Sequence, residues 1–317
     1  MKIVVLDGFT LNPGDLDWSP LQNLGTTKIF DRSTTAQILE RSEGADIVLS
    51  NKAILDKSTL QKLKHLKLIA VTATGYNNID VHAAHELGIS VCNARNYSSA
   101  SVAQQTLALI LELTNQCGLH STSVKNGEWS RCEDWSYRLS AMTELAGKTI
   151  GIVGFGHIGQ MVAQIARGFG MQVLANRKNP KKDESNDVEY VSLDHLLQNS
   201  DIVSLHCPLT EENKGFINTQ SLALMKPTSL LINTSRGPLI HEKDLEQALR
   251  GKSIGGAGLD VLCQEPPYTD HPLFTLENCL ITPHHAWATL ESRQRLLDIV
   301  VDNVAAFIKG EAKNLVH

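Results

Sequence analysis

Three short segments of this 317-residue chain carry side chains that could bind a small anion and move a proton. Leu231-Ile232-Asn233-Thr234-Ser235-Arg236-Gly237 reads as a strand end followed by Arg and Gly. Gly258-Leu259-Asp260-Val261 leads into Glu265-Pro266, and Ile281-Thr282-Pro283-His284-His285-Ala286-Trp287 closes another strand. A guanidinium can hold the carboxylate and carbonyl of a 2-keto acid through a fork of hydrogen bonds. An imidazole can protonate the alkoxide that forms on reduction. A carboxylate beside that imidazole would fix its tautomer and stabilise its protonated form. Each residue alone has a plainer reading: Arg236 in a surface ion pair, Glu265 capping a turn before Pro266, His284 as a satisfied loop histidine. Together, behind a nucleotide loop, they point to hydride-transfer chemistry.

That loop is Ile150-Gly151-Ile152-Val153-Gly154-Phe155-Gly156-His157-Ile158-Gly159. It follows a buried-strand pattern and opens a helix predicted over 158–169, ended by Gly170. Gly154 allows a tight turn, Gly156 lets the backbone approach a pyrophosphate, and Gly159 lets helix and strand pack closely. The helix start at His157 and Ile158 then offers free N–H groups to phosphate. A bare G-x-G-x-x-G string is weak; the strand–turn–helix setting strengthens it. After the next strand, where an acid would read the ribose 2′-hydroxyl of NAD, the chain has Asn176-Arg177-Lys178. A base there favours the 2′-phosphate of NADP. The plainer reading leaves Arg177 in a solvated loop.

Two β-α series must position these groups. The first has strands predicted at Lys2–Leu6, Ile47–Ser50, Leu68–Thr72 and Ile89–Cys92, and a helix at Asp80–Leu87 capped by Asp80 and ended by Gly88. At its strand ends, Val71–Asp80 could form an anion-holding nest, and Lys52 stands at an equivalent edge. A long helix is predicted over Ser101–Cys117, then a polar, Trp-bearing stretch, Asn126–Ala141. The second series has strands at Thr149–Val153, Val173–Ala175, Ile202–Leu205, Leu230–Asn233, Gly255–Leu259 and Leu280–Ile281. The charged stretch Lys178–Glu189 reads as a solvated loop. A last amphipathic helix, Thr289–Lys309, is free to return to the first series. The rhythm is α/β, with two doubly wound parallel-sheet domains.

Composition agrees with two domains: 42% hydrophobic and 20% charged residues can bury full cores. A net charge of −5 argues against a nucleic-acid-binding surface. No run approaches the ~20 apolar residues of a membrane span, and the amino terminus reads as a first strand rather than a signal peptide. Six scattered cysteines without a C-x-x-C pair fit a reduced, cytoplasmic protein, and no metal is expected.

Along essentially its whole length the chain resembles the D-isomer-specific 2-hydroxyacid dehydrogenases. The matching segments are Ser50-Asn51-Lys52, Ala73–Asp80, Val91–Arg95, Ser101–Gln104, Gly154–Gly159, Asn233–Gly237, Asp260-Val261 with Glu265-Pro266, and Pro283-His284 with Ala286-Trp287-Ala288. Within that family the match leans to the branch acting on glycerate and hydroxypyruvate. The resemblance implies Arg236 as substrate-binding residue, Glu265 as the histidine's partner and His284 as acid/base. It implies a flavodoxin-like substrate domain (residues 1–98 and 290–317), a Rossmann-type dinucleotide domain (99–289), a cleft between them and a homodimer. Lys52, Thr74 and Gly75, with Arg236 and His284, would face the substrate. Thr106, His206, Cys207, Pro208, Thr234, Ser235 and Asp260 would join Gly154, Gly156, His157, Ile158, Gly159, Asn176, Arg177 and Lys178 around NAD(P), NADP(H) being preferred. The implied reaction is reduction of hydroxypyruvate to D-glycerate, with glyoxylate or a bulkier keto acid as alternatives. Two features depart from the family pattern: Asn176-Arg177 replaces the usual acid, and His285 adds a second titrating group. A silent dinucleotide sensor would have lost Arg236, Glu265 or His284, and all three are present.

Overall fold

The computed structural model describes residues 1–178 and 188–316. The chain forms two compact units, Met1–Ser98 with the chain from Ala288 onward, and Ser99–Trp287. In the first, β1 (Lys2–Val5), β2 (Thr26–Ile29), β3 (Ile47–Ser50), β4 (Leu68–Val71) and β5 (Ser90–Cys92) form one parallel sheet in the order β2-β1-β3-β4-β5. Strands β3 and β4 are buried at every residue, as unbroken apolar runs in a sheet covered on both faces must be. This is the flavodoxin-like order, as the family resemblance implied for this part of the chain. Asp80 caps the helix Val81–Glu86 by accepting the Ala83 N–H at 2.9 Å, and Gly88 follows in the left-handed region. The last helix, Leu290–Ile308, packs on β4 of this unit. Its buried Arg293 forks onto Asp15 at 2.7 and 2.6 Å.

Two elements here were not legible from apolar patterning. β2 is an edge strand, T-T-K-I, with alternate residues exposed, so it lacks an apolar run. The helix Thr35–Ser42 announces itself only by its cap: the Gln37 side chain accepts the Thr34 N–H at 3.0 Å.

The second unit holds β6 (Thr149–Val153), β7 (Gln172–Asn176), β8 (Glu189–Tyr190), β9 (Ile202–Leu205), β10 (Leu230–Asn233), β11 (Gly256–Leu259) and β12 (Cys279–Ile281). They form a parallel sheet in the order β12-β11-β10-β9-β6-β7-β8. The chain reverses its direction of winding at β6, so β6 and β9 flank a topological switch point, where such sheets bind ligands. Apolar clusters cover both faces.

Three expectations need correction. The long helix is Ser99–Asn115, not Ser101–Cys117: Gln116 takes a left-handed conformation (φ 48°), and a second helix, Cys117–Lys125, starts after it. Glu189, read as the end of a loop, opens β8; most of that stretch, 179–187, lies outside the described residues. The chain returns to the first compact unit at Ala288 rather than 290. All six cysteines are free, and burial pushes the thiols of Cys92 and Cys279 up to about 12 and that of Cys207 up to about 11. No described helix is long and apolar enough to cross a membrane.

Candidate active site

In the second unit, the carboxyl ends of β6, β9, β10, β11 and β12 carry the glycine loop, His206-Cys207-Pro208, Thr234–Gly237, Asp260–Glu265 and Thr282–Trp287. Parallel strands put all these loops on one edge of the sheet.

His284 and Glu265, 19 residues apart in sequence, meet there: His284 Nδ1 lies 2.6 Å from Glu265 Oε2. The other carboxylate oxygen accepts the Leu262 N–H at 3.0 Å, which fixes the carboxyl plane. The carboxylate therefore takes the Nδ1–H tautomer and leaves Nε2 for a ligand. Both side chains are about one-third exposed (28% and 34%), open enough to meet substrate. His284 sits in the left-handed region (φ 51°), an uncommon and costly conformation for a residue with a side chain.

Asp260 holds it there. The residue is 1% exposed, and its carboxylate accepts from Thr282 Oγ1 (2.6 Å), the His285 N–H (3.1 Å) and the Ala286 N–H (2.9 Å). Its main-chain carbonyl accepts the His284 N–H at 2.8 Å. The carboxylate expected at the cofactor is thus engaged in pinning the histidine loop. His285 is exposed and joins this network through its backbone.

Arg236 follows β10. Its Nη1 donates to the Ser235 carbonyl at 2.7 Å, and its own carbonyl accepts from Asn233 Nδ2 at 2.8 Å. Asn233 also accepts the Ser235 N–H at 3.0 Å, so one buried amide shapes the whole turn. The sequence offered Asn233 only as a strand end; an Asx-type turn signal could have marked it.

The glycines of the loop differ in what requires them. Gly154 has φ +95°, and a Cβ there would lie 2.4 Å from the Cys207 nitrogen, across the switch point. A Cβ at Gly159 would lie 2.4 Å from the Gly154 carbonyl oxygen. Gly156 differs: it precedes the helix His157–Gly168, and a Cβ there meets nothing within 4 Å. Neither fold nor conformation demands glycine at that position, whereas a close-lying phosphate does. Gly156→Val should therefore leave Tm unchanged while weakening dinucleotide binding about tenfold or more, or ~1.4 kcal/mol. Gly159→Ala should instead lower Tm, because backbone must move. Calorimetry with NADH and NADPH reads both; full affinity in Gly156→Val would remove the phosphate from this loop.

The profile of D-isomer specific 2-hydroxyacid dehydrogenases, NAD binding domain, matches residues 107–286. A hydroxypyruvate reductase from Blautia hydrogenotrophica is 45% identical, with 100% of both chains covered. The chain belongs to the D-isomer-specific 2-hydroxyacid dehydrogenases. A glyoxylate reductase from Thermococcus litoralis is 41% identical over 83% of this chain and 80% of its own. Among solved structures, an acyclic imino acid reductase in complex with NADPH and D-Arg superposes with a TM-score of 0.87, at 30% identity and 100% coverage of both chains.

The dehydrogenase's remaining candidate residues divide by what holds them. Thr106 is wholly buried, its hydroxyl donating to the Val102 carbonyl at 2.9 Å and meeting Thr234 Oγ1 at 3.1 Å; it backs the loop rather than facing a ligand. Ser235 Oγ donates to the Leu205 carbonyl. The Pro208 carbonyl accepts from Asn213. Burial pushes His206 down to about 3, so its ring is neutral; Nε2 meets Ser204 Oγ at 2.8 Å. Asn176 donates its amide to the Val191 carbonyl, and Lys178 pairs with Glu212 at 2.9 Å. Of that trio Arg177 is half-buried, directly after the end of β7. In the other unit, Thr74 Oγ1 donates to the Ala94 carbonyl at 2.8 Å and Gly75 follows it. Lys52 is exposed, on a turn whose N–H groups at 51, 52 and 53 all donate to Asp7 at 2.6–2.8 Å. Asp7 was not among the candidates; its place directly after the first apolar strand was the available signal.

Proposed function

We propose that this dehydrogenase reduces hydroxypyruvate to D-glycerate, with His284 as proton donor, Glu265 as its partner and Arg236 as the keto-acid anchor. The observation that carries the reading is the His284–Glu265 pair at 2.6 Å on the sheet edge that also bears the glycine loop and Arg236. The name of the 45%-identical relative supports the substrate. Gly154, Gly156, Gly159 and the helix start at His157 would hold the dinucleotide, which supplies the hydride when bound. Arg236 binds and orients the keto acid. His284 holds a proton at Nε2 and delivers it to the carbonyl oxygen as charge develops. Glu265 stabilises the imidazolium before that transfer. The reading keeps Lys52, Thr74 and Gly75 as keto-acid contacts. It includes a homodimer, supported by the exposed apolar side chains Leu119, Val124, Trp129, Trp135 and Leu139; sedimentation of the intact protein separates it from a monomer.

A panel of hydroxypyruvate, glyoxylate and bulkier keto acids, assayed with both dinucleotides, tests the substrate. A higher kcat/KM for glyoxylate would replace hydroxypyruvate, a choice the glyoxylate reductase relative makes specific. The same assays read the cofactor. Arg177 in place of an acid, and the NADPH held by a similar structure, support NADP(H). A guanidinium–phosphate contact is worth ~1–3 kcal/mol, or roughly tenfold to a hundredfold in preference. NADPH should serve at least as well as NADH, and Arg177→Asp should turn the ratio toward NADH. A strong wild-type NADH preference, unmoved by Arg177→Asp, would remove Arg177 from that role.

A further inference from the structure

The loop that carries Glu265 is held at both ends by a single carboxylate. Glu242 is the first residue of the helix Glu242–Arg250. Its Oε1 accepts the Cys263 N–H at 2.6 Å, two residues before Glu265. Its Oε2 faces His271 Nε2 at 3.4 Å, six residues after Glu265. His271 Nδ1 accepts the Leu273 N–H at 3.4 Å, which leaves the proton on Nε2, directed at Glu242. Both side chains are half-buried (Glu242 23% and His271 11% exposed).

We infer that Glu242 is a positioning residue: by clamping Cys263 and His271 it fixes the loop that aims Glu265 at His284. This deepens, and rests on, the reading of Glu265–His284 as the proton-transferring pair. The charged and titratable groups facing the clamp are Glu242, His271, Glu265, Lys214 and the Cys263 thiol. Burial, with Glu242 and Glu265 beside it, pushes that thiol up to about 12, so it stays neutral and adds no charge. The close approach extends to the substrate anchor. A Cβ on Gly237, next to Arg236, would lie 2.0 Å from the Leu262 carbonyl carbon and 2.4 Å from the Cys263 nitrogen. The turn bearing Arg236 and the loop bearing Glu265 are therefore in direct backbone contact, and the clamp sits where they meet.

The plainer role for Glu242 is that of a first-turn acid complementing its helix dipole. That role predicts a lower Tm and nothing else. Positioning predicts a change in proton transfer. Glu242→Ala loses both contacts. Glu242→Gln keeps an acceptor for the Cys263 N–H, and His271→Ala loses only the other end. In the full-length enzyme, Glu242→Ala should lower kcat for keto-acid reduction about tenfold, as misplacement of a reacting group does. It should also move the alkaline fall of the reduction rate to lower pH, as Glu265→Gln does but less far. Glu242→Gln and His271→Ala should lie between it and wild type. NADH affinity should stay within about twofold. If Glu242→Ala does not fold, Glu242→Gln and His271→Ala decide the matter by the same profiles. Wild-type kcat and pH profile in the folded variants would overturn the clamp while leaving the proton-transfer reading intact. Wild-type turnover in His284→Asn would overturn both.

Discussion

His284→Asn is expected to lower kcat for keto-acid reduction by about 10²–10⁴, the usual worth of a positioned general acid. Dinucleotide affinity should be unchanged, because the glycine loop lies on β6 and the histidine on the turn after β12. Asn is close in size and can still donate a hydrogen bond, so the loop pinned by Asp260 should persist and Tm should move little. Glu265→Gln is the milder companion. Reduction needs the protonated imidazole, so its rate falls as pH rises. A carboxylate at 2.6 Å stabilises the imidazolium, so its removal should move that fall to lower pH. Oxidation of the hydroxy acid needs the neutral imidazole, and its acid limb should move in the same direction. Rate–pH profiles in both directions measure this. Unmoved profiles would remove Glu265 from the pair, and turnover surviving His284→Asn would remove the histidine.

What was legible in the sequence is the structure that is written locally. Gly154–Gly159 is part of a strand–turn–helix signature complete within ten residues, and the strand Thr149–Val153 and helix His157–Gly168 flank it as that signature requires. The parallel character of both sheets followed from the β-α rhythm and from fully apolar strands such as β3 and β4, which only doubly covered parallel sheets tolerate; the strand orders did not, since β2 and β8 carry no apolar run. What was not legible depends on where backbone N–H groups end up. Asp260 stands at the end of β11 and Glu242 opens a helix, and nothing in their spacing says that one pins the His284 loop and the other ties Cys263 to His271. Asp7 likewise looks like the polar stop of a strand, yet three consecutive N–H groups converge on it. Asn176 reads as a ribose contact from its position; that its amide also donates to the Val191 carbonyl, just after β8, was not legible because that two-residue strand carries no apolar run. The helix end at Asn115 was missed because Thr114-Asn115-Gln116 contains neither Gly nor Pro. Gln116 adopts the left-handed conformation that glycine usually marks.

Arg236→Lys should lower kcat/KM for the keto acid by about a hundredfold, through a higher KM and a lower kcat together. The magnitude corresponds to one charge-assisted hydrogen bond and the loss of a planar fork, ~2–3 kcal/mol. The local structure explains why charge alone does not suffice. Asn233 accepts from Ser235 and donates to the Arg236 carbonyl, and Arg236 Nη1 donates to the Ser235 carbonyl. One corner of the guanidinium is thus anchored to its own turn, which restricts the plane of the rest. A lysine ammonium on a flexible stem has no second corner with which to be anchored. It would attract the carboxylate without orienting the carbonyl, so the hydride and proton would arrive at a misaligned carbon and oxygen. Ground-state binding then suffers modestly and the reacting geometry more. Dinucleotide affinity and Tm should stay at wild-type values, since neither the glycine loop nor the Asn233 bonds depend on the guanidinium. Steady-state kinetics with hydroxypyruvate, alongside calorimetric titration with NADPH, separate these quantities. Wild-type kinetics in Arg236→Lys would show that the fork does not grip the substrate, and a matching loss of NADPH affinity would move the residue to the cofactor side.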